Sequence, residues 1–220
     1  MKLRAYQTLV FDCDGVVLDS NAIKTRAFYQ AALPYGNAAA RALADYHRSN
    51  GGISRYEKMQ YFLDRIVPEF ADGSDGPGLV DLLDSFAEIV SAELMRAPIA
   101  KDLGALRRSL DSRWMIASGG DQEELRQVFA QRNLSDWFDG GIFGSPTPKD
   151  RILGQGIESG LIVPPALYLG DSTYDYRCAS QAGLDFIFVS AWSEVDEWES
   201  FIAQNEIRAI EGVSDLLNHC

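Results

Sequence analysis

The chain has 220 residues, 46% of them hydrophobic, and 32 acidic against 20 basic side chains give a net charge of −12. That length suits one full domain plus a smaller insertion, and the ordinary apolar fraction without long charge blocks excludes a disordered chain. The acidity argues against a nucleic acid or an anionic membrane as partner, because both reward clustered Lys and Arg.

Short apolar runs ending in Gly, Asp or Ser alternate with helical stretches. Thr8 to Phe11, Trp114 to Ala117, Gly141 to Phe143, Leu167 to Leu169 and Phe186 to Val189 read as buried parallel strands. Helices are expected over Gln122 to Gln131, Lys149 to Ser159, Tyr174 to Ala182 and Glu194 to Gln204. This alternation predicts an α/β fold with a doubly wound, Rossmann-like parallel sheet. One gap breaks the rhythm: from Ser20 to about Ala97 the pattern is three or four amphipathic helices, punctuated at Pro34 to Asn37, Asn50 to Ser54 and Asp72 to Gly78. The last of these breaks reads as an exposed turn. A helical insertion after the first strand is therefore expected, with Ala97 to Ile99 as its return hinge. The division is a core of residues 1–19 and 97–220 and a helical cap of residues 20–96.

The first strand delivers Asp12-Cys-Asp-Gly15, and persistence of the strand would send Asp12 and Asp14 to one side and Cys13 to the other. Two carboxylates so close repel unless a cation joins them or one keeps a proton. An EF-hand loop does not fit, since its glycine belongs at the sixth position and a helix should precede it. A later strand delivers Asp171-Ser-Thr-Tyr-Asp175 to the same sheet edge, the carboxyl edge, where open α/β sheets bind ligands. Four carboxylates there imply a hard cation, Mg²⁺ first. Ser118-Gly119-Gly-Asp121 offers a hydroxyl and backbone N–H groups to a phosphoryl oxygen, and Lys149 opens the helix after a Pro-rich turn.

In order, Asp12-x-Asp14-Gly-Val, Ser118, Lys149 and Gly170-Asp-Ser-x-x-Asp175 resemble the four motifs of the haloacid dehalogenase-like hydrolases, in the capped branch of phosphatases and β-phosphoglucomutases. The resemblance implies a cap inserted after the first strand. It also implies that Asp12 is the nucleophile and forms an aspartyl-phosphate, with Asp14 as acid and then base. Mg²⁺ would sit on Asp12, the backbone carbonyl of Asp14 and Asp171, with Asp175 as ligand or anchor. Ser118, Gly119 and Lys149 would hold phosphoryl oxygens. Dehalogenases of the family lack the second acid and phosphonate-cleaving members carry a small residue there, so Asp14 favours C–O–P chemistry. Gly52-Ile-Ser-Arg55 is similar to the cap loop of β-phosphoglucomutase, which makes Arg55 a cap contact for substrate. Lys24 stands where mutases carry a histidine, a departure that favours hydrolysis, and it is the second cap contact.

The expected function is Mg²⁺-dependent hydrolysis of a small-molecule phosphate ester, a sugar phosphate among the options. A phosphomutase and a non-catalytic regulatory module on the same fold are the alternatives. Neither Cys13 nor Cys178 is followed by the arginine a cysteine phosphatase needs, and no Gly-x-Ser-x-Gly elbow accompanies His47 or His219. Phe28, Tyr29, Tyr56, Tyr61 and Phe62 read as cap core, with one or two of them expected to line a substrate pocket. The apolar run after Met1 to Gln7 is broken at once by Asp12, unlike a signal peptide, and no stretch of 18 apolar residues occurs. With Cys13, Cys178 and Cys220 odd in number and far apart, reduced thiols and a cytoplasmic protein are expected.

Overall fold

Apolar runs flanked by helical segments bury both faces of a sheet, and the computed structural model has that arrangement. It describes residues 2–73 and 75–219; Met1, Ser74 in the 72–78 turn and the Cys220 thiol lie outside the described residues. The strands are β1 (Thr8–Phe11), β2 (Arg113–Asp121), β3 (Ile142–Ser145), β4 (Ala166–Gly170), β5 (Asp185–Val189) and β6 (Arg208–Ile210). They form one sheet in the order β3-β2-β1-β4-β5-β6, with every neighbouring pair parallel.

The period of two sorts the side chains between two cores. Leu9, Phe11, Trp114, Ile116, Leu167 and Leu169 enter one cluster, whereas Val10, Met115, Ala117 and Tyr168 enter the other. Helices α8 (Lys149–Glu158) and α9 (Thr173–Gln181) cover the second face through Ile152, Leu153, Cys178 and Ala179. Helices α6 (Leu103–Ser109) and α7 (Gln122–Gln131) cover the first, and the same cluster runs on into the helices between β1 and β2. Cys13 falls in the first cluster, turned away from the acids as alternation requires. Both Cys13 and Cys178 are free and buried.

Among the described residues, five α-helices fill the insert ahead of α6: α1 (Asn21–Ala32), α2 (Asn37–Ser49), α3 (Arg55–Tyr61), α4 (Val67–Phe70) and α5 (Leu79–Leu94). Between α3 and α4 lies a π-helical turn, Phe62–Ile66, in which Val67 N–H bonds to the Phe62 carbonyl. Pro68 has no N–H to continue the ordinary ladder, which accounts for the slip. The chain leaves and returns along one short ribbon: Leu18 faces Ile99, Asp19 N–H donates to Pro98 O and Ala100 N–H to Val17 O, both at 2.9 Å. Among the described residues no helix is long and apolar enough to cross a membrane.

Several elements depart from the sequence reading. β2 runs to Asp121 instead of stopping at Ala117, because Asp121 still registers with Ser145 across an irregularity. α6 and β6 were not expected; β6 has only three residues, too few for a periodic signal. The last helix, α10 (Trp198–Gln204), starts four residues later than Glu194, after Glu197 in the left-handed conformation (φ 53°). Phe28 and Phe62 are core, but Tyr56 and Tyr61 are exposed: the hydroxyl of Tyr56 reaches Asp121 at 2.7 Å, and Tyr61 stacks on Tyr46 at 4.0 Å.

Phe11 is fully buried against Trp114 and Phe138, with ring centroids at 4.7 and 5.8 Å. Phe11→Ala is expected to cost about 3–5 kcal/mol in urea-induced unfolding, and a loss under about 1 kcal/mol would contradict this packing.

Candidate active site

β1 and β4 are adjacent, and the chain leaves β1 toward β2 on one side while β4 lies on the other, so the crevice of this sheet opens at their carboxyl ends. Asp12 and Asp171 follow those two strands directly, and Asp12 N–H donates to Leu169 O at 2.8 Å. Asp175 joins them from the third position of α9, where it forms a capping box with Ser172. One carboxylate oxygen from each of Asp12, Asp171 and Asp175 lies within 4.8 Å of the other two.

Gly15 makes this approach possible. Its φ is +76°, and a Cβ there would lie 2.0 Å from Asp171 Oδ2 and 2.4 Å from Asn21 Nδ2. Asn21, at the start of α1, donates to Asp171 Oδ2 at 2.6 Å and to Trp192 O at 2.7 Å, which fixes the Asp171 carboxylate.

Lys149 is the first residue of α8, after Pro148, and is 1% exposed. Its Nζ sits 2.8 Å from Asp12 Oδ2 and 2.5 Å from Asp175 Oδ1. Asp175 is saturated: Oδ1 also accepts from Tyr168 Oη at 3.0 Å, and Oδ2 accepts from Ser172 N–H at 3.1 Å and Ser172 Oγ at 2.6 Å. Asp12 Oδ1 takes Cys13 N–H at 2.7 Å. Asp12 and Asp171 thus retain free lone pairs, while Asp175 serves to hold Lys149 and the start of α9.

With all three buried carboxylates ionised, one ammonium would leave −3 + 1 = −2. Burial pushes the Asp12 carboxyl up to about 7, against the pull of Lys149. Burial, then the charges of Asp12 and Asp175, raises Asp171 well above the carboxylate range. Lys149 goes the other way: burial works against its charge, but Asp12 and Asp175 outweigh it and hold the ammonium well above its usual value.

Asp14 is held differently from the other three acids. Its Oδ2 is 2.5 Å from Lys24 Nζ, and its Oδ1 accepts from Ser20 Oγ at 2.6 Å. Burial acts to raise its pKa, yet Lys24 and these hydrogen bonds prevail and hold it below the usual value. Ser118 Oγ approaches the same Oδ2 at 3.5 Å while accepting from Gly120 N–H at 2.9 Å. Gly119 lies under the insert: a Cβ there would meet Gly52 O at 2.2 Å. The nine residues named from sequence all lie at this end of the sheet or across it on the insert. Seven are on the sheet side and two, Lys24 and Arg55, on the helices above.

Between them is a cavity of about 50 Å³, lined below by Asp12, Asp14 and Asp171 and above by Lys24, Arg55 and Lys58. That is a narrow space at the contact between the insert and the sheet. The closure is polar: Arg55 pairs with Glu124 and Tyr56 with Asp121, and Thr25 Oγ1 donates to Glu194 Oε2 at 2.6 Å. Asn21, His47, Lys58 and Glu194 also line the cavity. They were not singled out from sequence: each is an isolated polar residue, and only the tertiary fold brings them together.

Residues 6–183 match the sequence family described as haloacid dehalogenase-like hydrolase. No curated protein sequence matches. Solved structures similar to the chain include a predicted phosphatase from Clostridium acetobutylicum (18% identity, 96% of each chain covered, TM-score 0.69). CbbY from Rhodobacter sphaeroides in complex with phosphate is similar at 19% identity, again over 96% of each chain, with a TM-score of 0.69. A β-phosphoglucomutase from Clostridium difficile is similar at 16% identity over 96% of this chain and 93% of the other, with a TM-score of 0.71. At these identities the likeness establishes the fold.

Gly15→Ala must displace Asp171 and strain a left-handed residue, so it is expected to destabilise the protein by more than about 1 kcal/mol in urea titration. A variant as stable as the parent would contradict the close approach of the two loops.

Proposed function

Because the chain belongs to the haloacid dehalogenase-like hydrolases, we propose that it is a phosphatase of small phosphomonoesters working through an aspartyl-phosphate. The observation that carries this reading is the convergence of Asp12, Asp14, Lys149 and Asp171 at one crevice, with a second acid at position 14 in an environment unlike that of the first.

Asp12 attacks phosphorus, the bond from phosphorus to the ester oxygen breaks, and Asp14 gives its proton to the departing alkoxide. Water then attacks phosphorus, Asp14 takes back a proton, and the bond between Asp12 and phosphorus breaks to release phosphate. Lys24 stabilises the Asp14 carboxylate that takes the proton from water. Ser118, the Gly119 backbone and Lys149 neutralise and orient the phosphoryl oxygens, where positioning and charge supply most of the catalysis. Lys24 and Arg55, which reach the cavity from the insert, contact the leaving group.

The oxygen donors and the charge of −2 fit a divalent cation. Mg²⁺ held by Asp12, Asp171 and the Asp14 carbonyl would bring the cluster to neutrality and draw electron density from the phosphoryl group. Asp175 anchors Lys149 in this assignment. Residues 20–96 are the cap, and residues 1–19 with 97–220 the core that carries the chemistry. With so narrow a cavity between insert and sheet, the cap opens to admit substrate and closes to exclude water.

Asp12→Asn is expected to abolish phosphate release from p-nitrophenyl phosphate, whereas Cys13→Ala, altered on the opposite face, retains it; full activity in Asp12→Asn protein overturns the mechanism. EDTA is expected to remove the activity and added Mg²⁺ to restore it. Hydrolysis that continues in chelator would contradict the cation assignment.

A further inference from the structure

All but one of the cations lining the cavity hold a carboxylate. Lys24 is paired with Asp14, Arg48 with Asp45 and Arg55 with Glu124. Lys58 is the exception. It is 2% exposed, it lies on α3 facing the cavity, and no carboxylate pairs with it among the described residues. Its Nζ meets His47 Nδ1 at 2.7 Å and the face of Phe28 at 5.6 Å from the ring centroid.

His47 cannot serve as a counter-charge. Burial, followed by the neighbouring charges of Lys58, Lys24 and Arg48, holds its ring well below the usual histidine value, so the imidazole is neutral and Nδ1 accepts. An ammonium has three N–H donors, which leaves two on Lys58 without an acceptor among the described residues. Burial, then Lys24, pushes Lys58 down to about 7. A buried cation without a counter-ion is costly, and a cation aimed into a ligand cavity recovers that cost when an anion enters.

We propose that Lys58, braced by His47, is a second oxyanion site, so that the preferred substrate is a short phosphomonoester bearing a carboxylate or a second phosphoryl group. This rests on the phosphatase reading and adds the substrate class to it. Phe28 and Phe86 also line the cavity beside these cations, and their apolar surface strengthens a charge pair formed there. Asp12, where the reacting phosphoryl group lies in the proposed reaction, and Lys58 line the same narrow cavity, so one short ester spans both. Such a site discriminates strongly, because a substrate lacking the oxyanion leaves the buried ammonium unpaired.

The test is phosphate release by the full-length protein, with Mg²⁺, from 2-phosphoglycolate, ethane-1,2-diyl bisphosphate and ethyl phosphate, which share the two-carbon spacer. At least one of the doubly acidic esters is expected to exceed ethyl phosphate in kcat/KM by about 100-fold, the upper range of a charge-assisted hydrogen bond, with Lys58→Met narrowing the ratio to about 3-fold. Lys58→Arg keeps the charge and is expected to preserve the preference. Which ester leads identifies the oxyanion as carboxylate or phosphoryl. Equal turnover of all three by the parent protein overturns the subsite and leaves the phosphatase reading standing, and this comparison needs no variant to fold. A preference that survives in Lys58→Met protein also overturns it. Release from none of the three overturns both readings.

Discussion

The ammonium of Lys149, buried between Asp12 and Asp175, is the interaction on which the active end of the sheet depends. It joins the end of β1 to the start of α9, and it is itself delivered by the start of α8, so three separate connections meet on one nitrogen. Each charge is desolvated, and each would be costly without the others. The balance is deliberately incomplete in charge: one ammonium does not neutralise three carboxylates. Fully ionised, the cluster would carry −2, a charge that a divalent cation would offset. An acidic protein can therefore receive an anionic ester, and the overall −12 says little about the polarity of the site itself.

The geometry above that point follows from the same crowding. Asp171 reaches the cluster only because position 15 has no side chain, and Gly119 lets the insert loop come down onto the sheet edge. Asp14 is separated electrically from its neighbour two residues away by having its own cation, Lys24, on α1. Two acids on one strand end thus have opposite environments. Without a cation Asp12 is raised by burial and Asp14 is held down by a paired ammonium; in the proposed reaction a divalent cation on Asp12 would favour its ionised form, and Asp14 takes up a proton only once the ester displaces Lys24 from it. The insert brings Lys24, Arg55 and Lys58 to the cavity that Asp12, Asp14 and Asp171 line from the sheet edge.

Much of this was legible in the sequence, for local reasons. Strands β1 and β4 are continuous apolar runs ending in Asp, and their side chains have little choice of face. Helix α7 matches its expected bounds, Gln122–Gln131, because Asp121 accepts from Glu124 N–H at 2.9 Å and sets its first residue. The break from Ser20 to Ala97 was visible because the short apolar runs stop there and amphipathic helical patterns take their place. What escaped is non-local. β6 is three residues paired to one edge, and its identity comes from Ile187 to Val189 beside it. The His47 and Lys58 contact joins two helices through one hydrogen bond, and Asn21 serves Asp171 from 150 residues away. Tyr56 and Tyr61 belonged by composition to the core, but Tyr56 reaches Asp121 across the closure and Tyr61 stacks on Tyr46, and both remain exposed.

The most direct test of the central claim, that an uncompensated carboxylate cluster is built to take one divalent cation, is calorimetric titration of Mg²⁺ into the protein without substrate. One Mg²⁺ per chain is expected, with affinity reduced by about 10-fold or more in Asp171→Asn protein, since a neutral amide removes one of the carboxylates that create the site. Absence of binding, or binding indifferent to Asp171→Asn, would contradict the account.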